Sequence, residues 1–87
     1  MNIQSKLIKT WRKRNNVNQK EFGDITGIPQ PVISYIETGE RLPTERHALA
    51  IEQATNGEIK AEWLIFPEKY REEIEEYLNK DPVGATK

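Results

Sequence analysis

Apolar residues recur along this chain every three or four positions, the period of a helix with one buried face, and no stretch reads convincingly as a strand. Ile3, Leu7, Ile8 and Trp11 form one such stripe. They predict a helix over residues 3–14, with Asn2 as N-cap and Asn16 in the left-handed conformation that ends it. Phe22 and Ile25 are inward positions of a second helix, opened by Asn18 and Glu21 in capping-box spacing and stopped by Gly27. Ile33 and Ile36 predict the buried side of a third. Thr44 caps a fourth, whose Ala48, Leu49, Ile51 and Ala54 face the core and which Gly57 ends. Residues 59–66 carry a short fifth helix with Trp63, Leu64 and Phe66 as apolar members. After Pro67, a sixth segment places Tyr70, Ile74, Tyr77 and Leu78 on one face and Glu72, Glu73, Glu75 and Glu76 on the other. The expected class is all-α, and residues 81–87 read as a flexible tail.

Residues 19–39 have the spacing of a DNA-reading helix-turn-helix, two short helices around a tight glycine turn. Gly23, four residues before Gly27, falls where the two helix backbones are expected to cross, and Ile28 is the apolar residue of the turn. An ordinary helical hairpin shares this outline. The outer face of the third helix favours DNA, because Gln30, Ser34, Tyr35 and Thr38 stand where a merely solvated helix would carry Lys and Glu. Amides and hydroxyls can both donate to and accept from base edges in the major groove.

The run from Trp11 to Gln19 (WRKRNNVNQ), the helix-turn-helix after it and the run from Ile36 to Arg41 (IETGER) together resemble the phage Cro and repressor class of XRE-like proteins. Residues 42–57, LPTERHALAIEQATNG, are similar to small Cro-like and YdaS-like prophage proteins. The resemblance spans residues 3 to about 66 and stops at the tail from Pro67. It implies a five-helix DNA-binding domain over residues 1–66, and the apolar stripe beyond the resemblance adds a C-terminal amphipathic helix over 67–80 for dimerisation or packing. It also implies that Gln30 makes a bidentate amide contact with adenine. Ser34 is expected to reach a base edge and Tyr35 a base or the flanking phosphate. Asn18, Gln19, Thr38 and Arg41 are expected on phosphates. Arg12 and Glu37 stand where the family places a structural ion pair that fixes the angle of the reading helix.

One departure from the family pattern affects this scheme. Pro29 occupies the usual Ser or Thr N-cap position, and Pro31 lies in the first turn. Proline is tolerated there because its missing N–H has no intrahelical partner. A backbone donor for phosphate is nevertheless lost. Pro31 can offer only apolar contact, for example to a thymine methyl.

Composition narrows the remaining classes. With 87 residues, 36% hydrophobic and 31% charged, and a mean hydropathy of −0.80, the chain supports one modest core. No apolar run approaches the ~18 residues of a transmembrane helix. The basic N-terminus has no apolar segment behind it, so no secretion signal is expected. Without cysteine there is no disulfide framework, zinc finger or thiol chemistry. A cytoplasmic, nucleoid-associated protein fits these features. His47 is the only histidine, and neither a paired-acid motif nor a Gly-rich phosphate loop is present. An enzyme, a metal, a cofactor and a small-molecule substrate are therefore not expected.

The net charge of −1 hides an asymmetry. Residues 1–46 carry 8 Lys and Arg against 5 acids, and residues 47–87 carry 5 against 9. Lys6, Lys9, Arg12, Lys13 and Arg14 precede any acid, a local positive face that a duplex would feel. The expected function is a sequence-specific regulator of double-stranded DNA, a Cro-like repressor of phage or prophage type on a palindromic operator. A homodimer is expected, since one helix-turn-helix offers few contacts. Its interface is assigned to Trp63, Phe66, Tyr70, Ile74 and Tyr77, because aromatic residues concentrate at interface centres. The tail stripe either extends that interface or folds back over its own core. The alternative is an antitoxin or toxin of a paired system, autoregulating its operon while the tail binds a protein partner.

Overall fold

The computed structural model describes residues 3–80, so the expected Asn2 cap and the tail at 81–87 lie outside the described residues. Six helices follow in order: α1 Ser5–Asn15, α2 Gln19–Thr26, α3 Gln30–Thr38, α4 Glu45–Ala54, α5 Ala61–Ile65 and α6 Arg71–Asn79. No strand occurs among the described residues.

Local chemistry sets most of the boundaries. Helix α1 starts at Ser5, two residues later than the stripe suggests, and ends at Asn16 with φ 57°. At the start of α2, Asn18 Oδ1 accepts from the Glu21 N–H at 2.7 Å, and Glu21 Oε1 accepts from the Asn18 N–H at 2.9 Å. Two amide donors that a helix start leaves unpaired are thereby satisfied. Gly27, at φ 76°, reverses the chain in a conformation that side-chain-bearing residues rarely adopt. Thr44 caps α4 by accepting from the His47 N–H at 3.1 Å. That helix stops at Ala54, three residues before Gly57. Beyond it Asn56 and Gly57 are left-handed at φ 54° and 83°, and the Gly57 N–H donates back to the Glu52 carbonyl at 2.8 Å. The buried Thr55 hydroxyl donates to the Ile51 carbonyl at 2.9 Å and accepts from the Ile59 N–H at 3.2 Å. Glu52 Oε1 then accepts from the Ala61 N–H at 2.9 Å and closes the first turn of α5.

Helix α1 packs on α3 and α6, α2 on α3 and α4, and α4 on α5. Leu7, Ile8 and Trp11 meet Phe22, Ile28, Ile33 and Ile36 at the centre, with Ile51, Ile59, Leu64 and Ile74 in the same cluster. Trp11 and Phe22 meet as tilted rings 5.6 Å apart, a favoured aromatic arrangement. Full burial of each such aliphatic or aromatic side chain contributes about 1.5–3 kcal/mol.

Two expected core residues point outward instead: Ile25 and Leu49 are 52% and 50% exposed. In a helix, positions two apart lie ~160° around the axis from each other. Ile25 is thus turned away from buried Gly23, and Leu49 from buried Ile51. Phe66 falls one residue past the end of α5, where the chain leaves the helix. Ala54 is only half-buried. The need for glycine at position 23 also differs from the expected backbone crossing. A Cβ there would lie 2.9 Å from the Ile28 carbonyl oxygen, so the turn, more than the α3 backbone, sets the limit.

The stripe of α6 folds back over its own subunit. Ile74 is fully buried, and Tyr70, Tyr77 and Leu78 pack against the core. Tyr77 lies 5.8 Å from Trp63, ring to ring, with the Arg14 guanidinium 4.8 Å from its ring centre. Arg14 also donates to the carbonyls of Leu78 and Lys80, and Trp63 Nε1 donates to Glu73 Oε1 at 3.0 Å. Trp63 and Ile74 must therefore be withdrawn as interface residues, because their surface is already covered within one subunit. Tyr70 and Tyr77 retain only part of theirs. Phe66 alone of the five is exposed.

Candidate nucleic-acid interface

Helix α3 separates two kinds of side chain by its period. Ile33 and Ile36 point into the core at 0% and 1% exposure. Gln30, Pro31, Tyr35 and Thr38 are exposed and Ser34 half-exposed on the opposite side. The helix begins at Gln30 with Pro29 as an N-cap that makes no side-chain hydrogen bond and with Pro31 in the first turn. The Pro29 carbonyl accepts from Val32 and Ile33 N–H at 3.0 and 3.1 Å, so the helix start is ordered despite the missing cap.

Behind this face lies a two-point ion pair. Arg12 Nε donates to Glu37 Oε2 at 2.8 Å, and a terminal nitrogen of Arg12 donates to Glu37 Oε1 at 3.0 Å. The other terminal nitrogen donates to the Val17 carbonyl at 3.3 Å. The Arg12 and Glu37 side chains are 14% and 7% exposed, so α1 is tied to the end of α3 where water screens little.

From Glu37 a chain of amides leads outward. Gln19 Nε2 donates to Glu37 Oε1 at 3.3 Å, and Gln30 Nε2 donates to Gln19 Oε1 at 3.2 Å. A link between Gln19 and Gln30 formed no part of the sequence-based reading. The available signal was two glutamines at the opening positions of consecutive helices.

The residues expected on phosphates are not equally free. Gln19 has one amide hydrogen left beyond its contact to Glu37. Asn18 has its Oδ1 and backbone N–H occupied by the cap, leaving its side-chain amide as donor. Thr38 Oγ1 lies 3.1 Å from the Tyr35 carbonyl and 3.0 Å from Glu40 Oε1, which places a carboxylate beside that hydroxyl. Arg41 is exposed, its N–H bonded to the Tyr35 carbonyl at 3.2 Å and its guanidinium 5.5 Å from the Tyr35 ring centre. Tyr35 and Arg41 thus form one aromatic and cationic patch at the end of α3.

The basic N-terminal run does not form a single face. Arg12 is bound to Glu37, and Arg14 is bound to the end of α6. Lys6, Lys9 and Lys13 remain exposed. Among the described residues no group of three or more His, Cys, Asp or Glu is arranged to hold a metal, and no helix is long and apolar enough to cross a membrane.

A protein-family model described as helix-turn-helix matches residues 8–61, more than half of the chain. The matched segment runs from α1 to the first residue of α5 and includes the whole α2–turn–α3 unit. Neither the comparison with curated proteins nor that with solved structures returned a match.

Proposed function

The chain belongs to the XRE-type helix-turn-helix family and is a DNA-binding transcription regulator, and on that premise we propose a Cro-like repressor of phage or prophage type that binds a palindromic operator as a homodimer. Residues 1–66 form the DNA-binding unit, and residues 67–80 close it. The carrying observation is the outer face of α3, where Gln30, Pro31 and Tyr35 are exposed and Ser34 half-exposed while Ile33 and Ile36 anchor the helix. Gln30 offers adenine an amide, Ser34 a hydroxyl and Pro31 an apolar ring for a thymine methyl. Asn18, Gln19 and Arg41 flank this face as donors to phosphate, which position the helix without reading sequence. Thr38 contributes less, given the adjoining Glu40.

Two copies double the contacts, with half-sites about 34–36 Å apart or a multiple of that. Phe66 is the exposed aromatic left for the two-fold contact. Burial of the α6 stripe against α1 leaves less of it for any protein partner, a second copy included.

Selection of duplexes from a randomised pool tests the reading. It predicts a two-fold symmetric consensus bound at a ratio of two chains per duplex. Recovery of unrelated sequences bound with equal affinity would overturn it.

A further inference from the structure

Asn56 and Gly57 are the chain's one Asn-Gly pair, and the proposed DNA reading gives neither of them a task. They stand together in the turn between α4 and α5, both left-handed, with φ 54° and 83°. Asn56 is exposed, and among the described residues its side-chain amide has no hydrogen-bond partner. Asparagine is a thermolabile residue, because the backbone nitrogen that follows it can attack its side-chain carbonyl carbon. Glycine in the attacking position, having no side chain, offers the least steric resistance. In the closed turn that nitrogen is engaged, since the Gly57 N–H donates to the Glu52 carbonyl at 2.8 Å. Its neighbours are held as well, the Asn56 N–H by the Gln53 carbonyl at 3.2 Å and the Glu58 N–H by the Thr55 carbonyl at 3.1 Å. Attack therefore requires this turn to open.

We propose that Asn56 is a site of spontaneous covalent modification, converted to aspartate or isoaspartate at a rate set by local opening of the α4–α5 turn. The Gly57 nitrogen bonds to Asn56 Cγ, and its proton leaves with the side-chain amide nitrogen as ammonia. The five-membered succinimide so formed takes up one water. Hydrolysis at one of its carbonyls gives aspartate and at the other isoaspartate, with no oxidant or reductant involved. Either product weakens the turn. Aspartate puts a negative charge at the C-terminal end of α4, where the helix dipole opposes it. Isoaspartate carries the main chain through its Cβ and so adds one atom to the backbone among the bonds that brace the turn. Those bonds run from the Gly57 N–H to the Glu52 carbonyl, from the Ile59 N–H to the Thr55 hydroxyl and from the Ala61 N–H to the Glu52 carboxylate. Together they hold the start of α5 on α4, so the modified chain is less stable.

The full-length chain is incubated at mildly alkaline pH, folded and in guanidinium chloride, then digested with trypsin and read by mass spectrometry. The peptide of residues 47–60 holds both Gln53 and Asn56, and fragmentation tells them apart. In the unfolded chain a gain of one mass unit is expected at Asn56 ahead of every other asparagine. In the folded chain the same gain appears about tenfold or more slowly, because only the opened fraction reacts. Small additions of denaturant raise this folded-state rate far less steeply than they raise the globally unfolded population, since a local opening exposes little surface. Equal rates in the folded and unfolded chain overturn the inference. So does a folded chain that shows no conversion at Asn56 while the unfolded chain converts, or a folded-state rate that follows global unfolding. Conversion led by another asparagine overturns the site itself.

Discussion

At the scale of single residues, Arg12 and Glu37 are held in a place where neither could remain alone. Both side chains are largely buried, and each completes the other's hydrogen bonds. Arg12→Ala or Glu37→Ala should cost about 3 kcal/mol, because the remaining charge stays buried and unpaired. Removing both should cost clearly less than the sum, and a double-mutant cycle on thermal unfolding measures the coupling. Additive losses would make Arg12 a surface cation with no structural task. Tyr77 gives a second test at this scale. Burial raises its pKa above the ordinary value, the nearby Glu58 carboxylate raises it further, and Arg14 opposes both. A raised pKa means that the folded state favours the protonated phenol. The resulting stability is fully present below about pH 10, the ordinary tyrosine value, and is lost as pH rises through the folded value. Tyr77→Phe keeps the ring against Trp63 but cannot ionise. Melting temperatures between neutral and strongly alkaline pH should therefore fall less in Tyr77→Phe than in the unaltered chain. Parallel curves would contradict the assignment.

At the scale of elements, local chemistry was legible in the sequence and sidedness was only partly so. Asn18 with Glu21, Thr44, Asn16 and Gly27 announce boundaries because caps and left-handed stops involve residues only a few positions apart. Ile25 and Leu49 misled because an apolar identity does not say which side of a short helix it occupies, and the buried face is fixed by packing across helices. The regular turns of α4 stop at Ala54, and Gly57 takes the left-handed conformation expected of the residue that ends it. The amide chain from Glu37 to Gln30 was missed because its middle member, Gln19, belongs to another helix. Gly23→Ala tests the packing of the turn. The added methyl would meet a backbone carbonyl at 2.9 Å. Alanine's better helix propensity offsets part of the clash, leaving a loss of about 1–2 kcal/mol by denaturant unfolding. An increase in stability would mean that the turn yields. For α6, Ile74→Ala should cost about 2–5 kcal/mol, as for a fully buried aliphatic side chain. An unchanged midpoint would return α6 to the surface.

At the scale of the whole molecule, charge is unevenly divided, with 8 Lys and Arg against 5 acids in residues 1–46 and 5 against 9 in residues 47–87. The acidic second half of the chain includes the four glutamates of α6, which like-charge repulsion directs away from phosphate. The cations best placed to meet DNA are fewer than the sequence count suggests, since Arg12 and Arg14 are engaged within the fold. On the proposed reading, selectivity comes from the neutral face of α3, with Gln30 at its outer end. The most direct test is the affinity of Gln30→Ala for the selected duplex and for a scrambled duplex of the same length and composition. Loss of about 1–3 kcal/mol on the selected duplex, with scrambled DNA bound as before, is the predicted result. Equal affinities of variant and unaltered protein for the selected duplex would contradict the reading of α3.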